Sequence, residues 1–190
     1  AAKGLVTGTA GNVSMRLPQN GETKRYLITP ASVRYENMER SSLVLIDDNI
    51  EPVDGYGIPS TESLLHLAIY NARDDINAVM HSHSVFATVA AVMGCPIPPV
   101  VDELVIHVGG TVEIAEYARP ASEELAQAAV DALGDRRAVL LRHHGLCVAA
   151  STPSEAMDIS ALVEHVARVY FYAQLAGTAS TPPVDVISAE

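Results

Sequence analysis

The sequence predicts a single α/β domain with a mixed sheet flanked by helices, and three observations support this. The chain has 190 residues, the size of one ordinary domain. From residue 59 onward, apolar runs of strand length alternate with longer runs of helical periodicity. No internal repeat or low-complexity block divides the chain. We therefore expect residues 1–190 to form one domain, with a tail at about 177–190 and a first helix that begins before residue 1.

The first forty-odd residues predict short antiparallel strands. "NVSMRL" and "KRYLITP" alternate polar with apolar residues, and "PQNGET" between them has the composition of a turn. "SLVLIDD", at 42–48, predicts a further strand, and "NIEPVDGYGIPS" predicts a loop.

A helix is predicted over 59–74. Pro59 and Ser60 suit its start, Glu62 falls in its first turn, and apolar residues recur at 64, 65, 68 and 69. The remaining elements alternate between strand and helix. They are a strand in "INAVMHSH", a helix in "VFATVAAVM", a strand in "VEIAEY", a helix in "SEELAQAAVDAL", a strand pair in "AVLLRHHGLCVAA" and the longest helix in "SEAMDISALVEHVARVYFYAQLAG".

The charge balance argues against two classes of partner. Twelve Lys and Arg against 23 Asp and Glu give a net charge of -11, whereas binding to nucleic acid or to an anionic membrane needs a basic face. No apolar run reaches membrane-spanning length and the start lacks a signal-peptide pattern, so a cytoplasmic protein is expected. Cys95 and Cys147 are expected to be buried free thiols, because a chain of this size needs no disulfide to form a core.

Two histidines stand two residues apart in an apolar strand. Such residues point to the same face, so His81 and His83 are predicted to present their rings side by side, about 6–7 Å apart along the backbone. A single histidine in such a strand is more often a hydrogen-bonded core residue. Two in register need partners in one small volume, and this favours a metal site.

Two further places complete a set of metal-binding side chains. His143 and His144 follow an apolar strand and point to opposite sides, so only one of them can face the same site. The residues leave open which one, although Gly145 after His144 lets the backbone turn. Glu62 supplies a carboxylate. Three imidazoles and a carboxylate suit Zn²⁺ or another divalent ion such as Mn²⁺, Co²⁺ or Fe²⁺, and a weakly held carboxylate can leave the metal to take a proton.

Five segments resemble the class II aldolase/adducin family, and most closely its bacterial fuculose-phosphate aldolase branch. In chain order they are "GTAGNVSMRL", "YLITPASVRYENM", "PSTESLLHLAIY", "INAVMHSHSVFATVAAV" and "AVLLRHHGLCVA", within a resemblance that covers about residues 4–177. The resemblance implies a three-layer class II aldolase-like fold with a largely antiparallel mixed sheet. It also implies that Glu62, His81, His83 and His144 bind Zn²⁺.

The resemblance further implies a phosphate site, which backbone N–H groups at turns can build without a basic surface. Its positions in this sequence are Gly11 and Asn12, Ala31 and Ser32, and Ser60 and Thr61. In "ITPAS", Ala31 and Ser32 replace a hydroxyl residue and a glycine of the family's pattern. In "VVDEL", Asp102 and Glu103 stand in the region where the family's aldolases place a tyrosine that assists proton transfer. The metal chemistry is therefore expected to be retained and the substrate end to be altered.

The family's chemistry implies a metal-dependent lyase of carbohydrate metabolism acting on a small molecule. The leading hypothesis is reversible cleavage of an L-fuculose-phosphate-like sugar phosphate into dihydroxyacetone phosphate and an aldehyde through a metal-stabilised enediolate, with Glu62 moving the proton. One alternative is a family decarboxylase, epimerase or dehydratase that acts on another hydroxy-oxo or aromatic acid. A second alternative is a non-catalytic, adducin-like interaction module. The resemblance also implies a homotetramer with its sites at subunit interfaces.

His66 lies four residues after Glu62, on the same face of the predicted helix. One hypothesis makes it a partner that supports the metal ligands from behind, or an acid, a role also open to Asp102 and Glu103. The other makes it an ordinary, partly buried histidine. The sequence does not decide between them.

Overall fold

The computed structural model describes residues 4–18, 23–53, 57–177 and 179–182. Seven strands and five helices lie along this part of the chain. The strands are β1 (Asn12–Arg16), β2 (Tyr26–Ile28), β3 (Val44–Ile46), β4 (Ala78–Ser82), β5 (Glu113–Ala115), β6 (Ala138–Leu141) and β7 (Gly145–Ala150). The helices are α1 (Ser63–Ala72), α2 (Val85–Met93), α3 (Asp102–Val108), α4 (Glu123–Leu133) and α5 (Pro153–Leu175). Two short 3-10 helices, Tyr35–Asn37 and Arg40–Ser42, precede β3.

The seven strands form one sheet in the order β3-β2-β1-β4-β7-β6-β5. Five neighbouring pairs are antiparallel, and the pair of β5 and β6 is parallel. Helices α1 and α4 pack on one face of the sheet, and α2, α3 and α5 pack on the other. The predicted three-layer fold with a mixed, largely antiparallel sheet is therefore confirmed.

The centre of the sheet is buried on both faces. Every residue of β4 and of β7 is buried. Val79 and its neighbour Met80 enter different apolar cores, one on each side of the sheet. A strand covered on both faces needs apolar residues throughout, so the sequence shows a continuous run there rather than alternation. His81 lies in this run and has no exposed surface.

The first predicted helix is shorter than expected, because the residues before it belong to a contact between loops. Pro59 forms an isolated bridge with Pro30, and the Ser60 N–H donates to the carbonyl of the residue before Pro30 at 3.2 Å. Helix α1 therefore begins at Ser63. Glu62 is the residue before the helix and not, as predicted, a residue of its first turn.

The sequence predicts no helix at α3, and the structure corrects this. Pro96, Pro98 and Pro99 come shortly before it, and its seven residues are too few for a periodic signal to stand out. Leu104 and Val108 are buried in the core on the α5 side of the sheet. Tertiary packing rather than local propensity therefore stabilises this short helix.

The other predicted elements are present, and their bounds match the prediction or differ from it by one or two residues at an end. The strand expected over 42–48 covers Val44–Ile46, and the strand expected in "VEIAEY" covers Glu113–Ala115. Within the described ranges, no helix is long and apolar enough to cross a membrane. Four predictions involve residues outside those ranges: the helix before residue 4, the tip of the turn at 19–22, part of the predicted loop, at 54–56, and most of the tail, at 178 and 183–190.

The two cysteines differ in burial. Both are free thiols, and Cys147 is buried in β7, as predicted. The prediction is wrong for Cys95, which follows α2 and is partly exposed in a cavity between α2 and α5.

Candidate metal centre

The end of β4 brings the first two imidazoles together. His81 lies within the strand, and its Nδ1 is 3.0 Å from the Leu146 carbonyl oxygen, which can only accept a hydrogen bond. In the neutral ring Nδ1 therefore carries the proton, and the Nε2 lone pair is left for the site. His83 follows the last strand residue, which corrects the prediction that both lie on the strand. The two Nε2 atoms are nevertheless 2.8 Å apart.

The turn between β6 and β7 supplies the third imidazole. The His144 N–H donates to the Leu141 carbonyl at 2.9 Å, and His143 takes the left-handed conformation, with φ of 56°. The His144 ring then lies 4.6 Å from the His81 ring, centroid to centroid. His143 points away, with its exposed ring 6.0 Å from that of Tyr117. The structure therefore brings His144, and not His143, to the site.

The sequence predicts that Gly145 lets the backbone turn, but the structure shows a steric reason for this glycine. The residue at the turn with positive φ is His143, so Gly145 is not needed for backbone freedom. A Cβ at position 145 would lie 2.4 Å from the Ser82 carbonyl oxygen and 3.1 Å from Cδ2 of His83. The missing side chain lets β7 pass close to the end of β4 and its imidazoles.

Glu62 completes the group from the other side. Its Oε1 is 3.2 Å from Nε2 of His144, and its Oε2 is 3.4 Å from Nε2 of His81. Oε1 is buried and has no hydrogen-bond partner among the described residues. Ligand nitrogens of His81, His83 and His144 all lie within 4.8 Å of one another. Three convergent imidazoles and a carboxylate oxygen without a hydrogen bond fit a divalent metal ion.

The protonation of the imidazoles agrees with this fit. Burial lowers the pKa of His81 well below its usual value, and His144 and His83 act in the same direction. Burial and His144 also lower the pKa of His83, against the Glu62 carboxylate, which raises it. Both rings are therefore neutral at pH 7, the form that binds metals.

A row of polar side chains, which we call the polar ladder, runs from Glu62 along the contact between β1 and α1. Its members are Asn12, Ser14 and Arg16 on β1, and Glu62, His66 and Tyr70 at the start of α1 and along it. Asn12 Nδ2 donates to Glu62 Oε2 at 2.8 Å, and Asn12 Oδ1 is 2.6 Å from Nε2 of His66. The sequence predicts Asn12 as a substrate residue and places His66 near Glu62 by its spacing, but it does not predict the link between them. The available signal was the alternation in "NVSMR", whose polar residues face a helix rather than solvent.

The three loops predicted to bind phosphate lie side by side. The Thr29 N–H donates to the Val13 carbonyl at 3.0 Å, and Thr29 Oγ1 accepts from the Val13 N–H at 3.1 Å. The Ser60 N–H donates to the Thr29 carbonyl, and the Ala31 N–H donates to the Ile58 carbonyl at 2.9 Å. These bonds bring together the loops of Gly11 and Asn12, Ala31 and Ser32, and Ser60 and Thr61.

Within this group the side chains differ in exposure and in hydrogen bonding. Thr61 and Ser32 are exposed, and Ser32 has φ of 60°, a conformation that favours the glycine of the family's pattern. Ser60 is buried, and its Oγ accepts the Glu62 N–H at 3.3 Å. The Asn12 amide donates to Glu62, which leaves one of its hydrogens for a ligand.

The structure does not place the two acidic candidates at the imidazoles. Asp102 and Glu103 form the exposed first turn of α3. Glu103 lines a separate cavity with the first turns of α5. No contact within the described part of this chain joins either carboxylate to the imidazoles, and their role as an acid or a supporting partner stays a prediction.

The sequence and the fold of this chain match those of known proteins. The profile of the Class II Aldolase and Adducin N-terminal domain matches residues 1–171. The chain belongs to the class II aldolase and adducin family. Among its relatives in this family, the L-fuculose phosphate aldolase of Escherichia coli O6:H1 is 38% identical over 187 residues, which are 98% of this chain and 82% of that protein.

Two further members of the family are similar over most of their length. The 5-deoxy-D-ribulose 1-phosphate aldolase of Bacillus thuringiensis is 33% identical, over 97% of this chain and 84% of that protein. A solved structure of an L-fuculose 1-phosphate aldolase superposes with a TM-score of 0.90 at 34% identity, over 97% of this chain and 85% of that one. The predicted family is confirmed. So is the lyase class, since these relatives are aldolases.

Proposed function

We propose that the chain is a zinc-dependent aldolase that reversibly cleaves a ketose 1-phosphate of the L-fuculose type into dihydroxyacetone phosphate and an aldehyde. The observation that carries the proposal is the convergence of the His81, His83 and His144 imidazoles beside the Glu62 carboxylate, whose Oε1 lies 3.2 Å from Nε2 of His144 and has no hydrogen bond among the described residues. The names of the relatives support the reaction class, because they differ in the sugar and share the cleavage of a sugar phosphate. We therefore propose dihydroxyacetone phosphate as one of the two products, and the assay below identifies the aldehyde.

The chain's own residues account for the proton steps. Cleavage needs the hydroxyl proton next to the breaking bond to leave, and a proton to arrive at the carbon that stays with the phosphate. Glu62 is suited to carry the second proton, because Asn12 binds its Oε2 while its Oε1 has no hydrogen bond to any residue that the structure describes. Zn²⁺, when bound, supplies a Lewis acid for the negative charge that develops on the substrate oxygens.

The three adjoining loops are proposed to hold the phosphate. Gly11, Asn12, Ala31, Ser32, Ser60 and Thr61 are the residues in question. The loop of Ser60 and Thr61 leads directly into Glu62, so a phosphate there sits at one end of the ketose while the imidazoles face the reacting carbons. Backbone N–H groups and hydroxyls can bind this anion although the chain has a net charge of -11.

Activity and metal content test the proposal together. Purified protein is assayed for dihydroxyacetone phosphate released from L-fuculose 1-phosphate and from 5-deoxy-D-ribulose 1-phosphate, and its zinc is measured. His83→Ala is expected to lose both zinc and cleavage, and Glu62→Gln to lower kcat by about 10²- to 10⁴-fold, the usual contribution of a proton-transferring group. His107→Ala, at an exposed histidine on α3, is the control and should retain both.

Three outcomes would contradict this assignment. Cleavage by metal-free His83→Ala protein would remove the metal from the reaction. Release of CO₂ from hydroxylated aromatic or oxo acids, with no aldehyde from either sugar phosphate, would favour the decarboxylase. Absence of tightly bound metal would favour the interaction module. The cytoplasmic location stays a prediction.

A further inference from the structure

The polar ladder joins a strand and a helix whose repeats match. Glu62, His66 and Tyr70 recur every four residues, a rise of about 6 Å along a helix. Asn12 and Ser14 are two residues apart on β1, a rise of about 6.6 Å. Side chains of the two elements can therefore meet one after another. They form an unbroken row of hydrogen bonds, each between 2.6 and 2.8 Å.

The direction of each hydrogen bond follows from the one before it, starting at Glu62. The Asn12 amide nitrogen, which only donates, lies 2.8 Å from Glu62 Oε2 and donates to it. The Asn12 oxygen is then the atom 2.6 Å from Nε2 of His66. Because an amide oxygen only accepts, His66 carries its proton on Nε2.

The same logic continues beyond His66. Burial lowers the pKa of His66 to about 3, so the ring is neutral at pH 7 and its Nδ1 is without a proton. Ser14 Oγ, 2.6 Å away, therefore donates to Nδ1. A serine hydroxyl has one hydrogen, so Ser14 accepts from the Tyr70 hydroxyl, 2.8 Å from it. Every group in the row donates toward Glu62.

We propose that His66, together with Ser14 and Tyr70, is a positioning residue that fixes the Asn12 amide toward Glu62 and so leaves Glu62 Oε1 for the metal and the proton. The inference rests on the proposed role of Glu62. His66, Ser14 and Tyr70 are all buried, so solvent does not compete for these bonds. Without the Ser14 hydroxyl the His66 proton can move to Nδ1. The bare Nε2 then favours an Asn12 amide rotated by half a turn, which sets its oxygen against the carboxylate.

The first test reads the His66 tautomer, independently of activity. Long-range ¹H–¹⁵N NMR of the zinc-loaded and the metal-free protein should show His66 protonated on Nε2 alone at pH 7. Ser14→Ala should shift the population toward protonation on Nδ1, and Ser14→Thr should restore the Nε2 form because it retains the hydroxyl. A wild-type His66 protonated on Nδ1, or a tautomer that Ser14→Ala leaves unchanged, would overturn the proposal.

The second test measures function with matched variants. Ser14→Ala is expected to lower kcat about tenfold or more with little change in KM, the size typical of residues that support metal ligands, and Ser14→Thr to recover most of it. Ser160→Ala is the control, because Ser160 is equally buried but bonds to Met80 and Ala156 on the other face of the sheet. Equal kcat values for Ser14→Ala and Ser160→Ala would contradict a positioning role.

Two substitutions at His66 distinguish a positioning role from a general loss of folding. His66→Gln can place an amide N–H near the Nε2 position and keep the bond to Asn12, whereas His66→Asn reaches only the Nδ1 position. Both remove the ring, and urea unfolding measures the further packing cost of Asn, which is one methylene shorter. The proposal expects His66→Gln to exceed His66→Asn in zinc affinity and kcat, and equal values would overturn it. If no sugar phosphate is cleaved, the function fails, while the tautomer and the zinc affinities still decide the positioning role.

Discussion

At the residue scale, the candidate metal centre depends on a position that has no side chain. Gly145 lies against the Ser82 carbonyl and the His83 ring, at distances that a Cβ could not occupy without a shift of the backbone. Its φ is not in the left-handed region, so its backbone conformation suits other residues as well. The requirement for glycine is therefore purely steric, and it concerns the spacing between the segments that carry His83 and His144.

Gly145→Ala is expected to lower the free energy of unfolding by about 1–3 kcal/mol, the usual cost of overpacking, and to weaken zinc binding because His83 has to move. Urea unfolding and zinc titration measure the two effects. Gly8→Ala is the control: position 8 has open space and φ of 65°, so it should cost about 1–2 kcal/mol of backbone strain and leave zinc affinity unchanged. Unchanged zinc binding in Gly145→Ala would refute the steric explanation.

At the element scale, helix α2 is capped by another helix. Ser84, at its N-cap, makes no capping bond, and its hydroxyl has no hydrogen-bond partner among the described residues. The Glu164 carboxylate of α5 instead accepts the N–H groups of Phe86 and Ala87 at 2.9–3.0 Å. Its negative charge also suits the positive end of the helix dipole. Since α2 begins two residues after His83, this cap lies close in sequence to the candidate metal centre.

Glu164→Gln removes the charge but keeps one amide oxygen as an acceptor. We expect it to lower the free energy of unfolding by about 1–2 kcal/mol, because hydrogen bonds to charged groups are stronger than neutral ones. Urea unfolding at pH 7 measures this. Glu116→Gln, at an exposed position after β5, serves as the control and should stay within about 0.5 kcal/mol of the wild type. Equal stabilities of the two variants would show that the cap contributes nothing.

At the scale of the whole molecule, one side carries large apolar residues on its surface. They lie on α2 and on the last turns of α5, and they are Val85, Val92, Met93, Tyr172 and Leu175, all more than half exposed. A cavity beside them is lined by His83 together with Val85 and Met93, so this apolar surface reaches the metal centre. Exposed apolar surface of this kind is typical of contacts between subunits.

The predicted homotetramer is tested on this surface. Light scattering is expected to give a mass four times the 20.1 kDa of one chain. Met93→Glu and Leu175→Glu should shift the protein to smaller species, because they place a charge in an apolar contact. Ile106→Glu, on exposed α3, should not. A wild-type monomer would contradict the prediction, and tetramers in all three variants would place the interface elsewhere.

Most of the fold, and the types of side chain at the site, can be predicted from the sequence alone. Apolar runs of strand length and helical periodicity predicted the main elements, because burial imposes those patterns on neighbouring residues. The pair His81 and His83 indicated a metal site, since two imidazoles two residues apart need a common partner. His66 was placed on the face of Glu62 by spacing alone. The choice of His144 over His143 came from family resemblance, because both histidines suit the local pattern equally.

Only the tertiary structure decided which distant groups meet. The bond from Asn12 to Glu62 joins residues 50 apart in sequence, and the cap that Glu164 forms on α2 spans nearly 80. The first depends on how β1 lies against the start of α1, and the second on how α5 packs against α2, and no local pattern records either. Helix α3 and the steric need for glycine at position 145 are also decided by tertiary packing. Sequence periodicity reports whether a residue is buried; the direction of its hydrogen bonds and the space around it are set by elements that come together only in the fold.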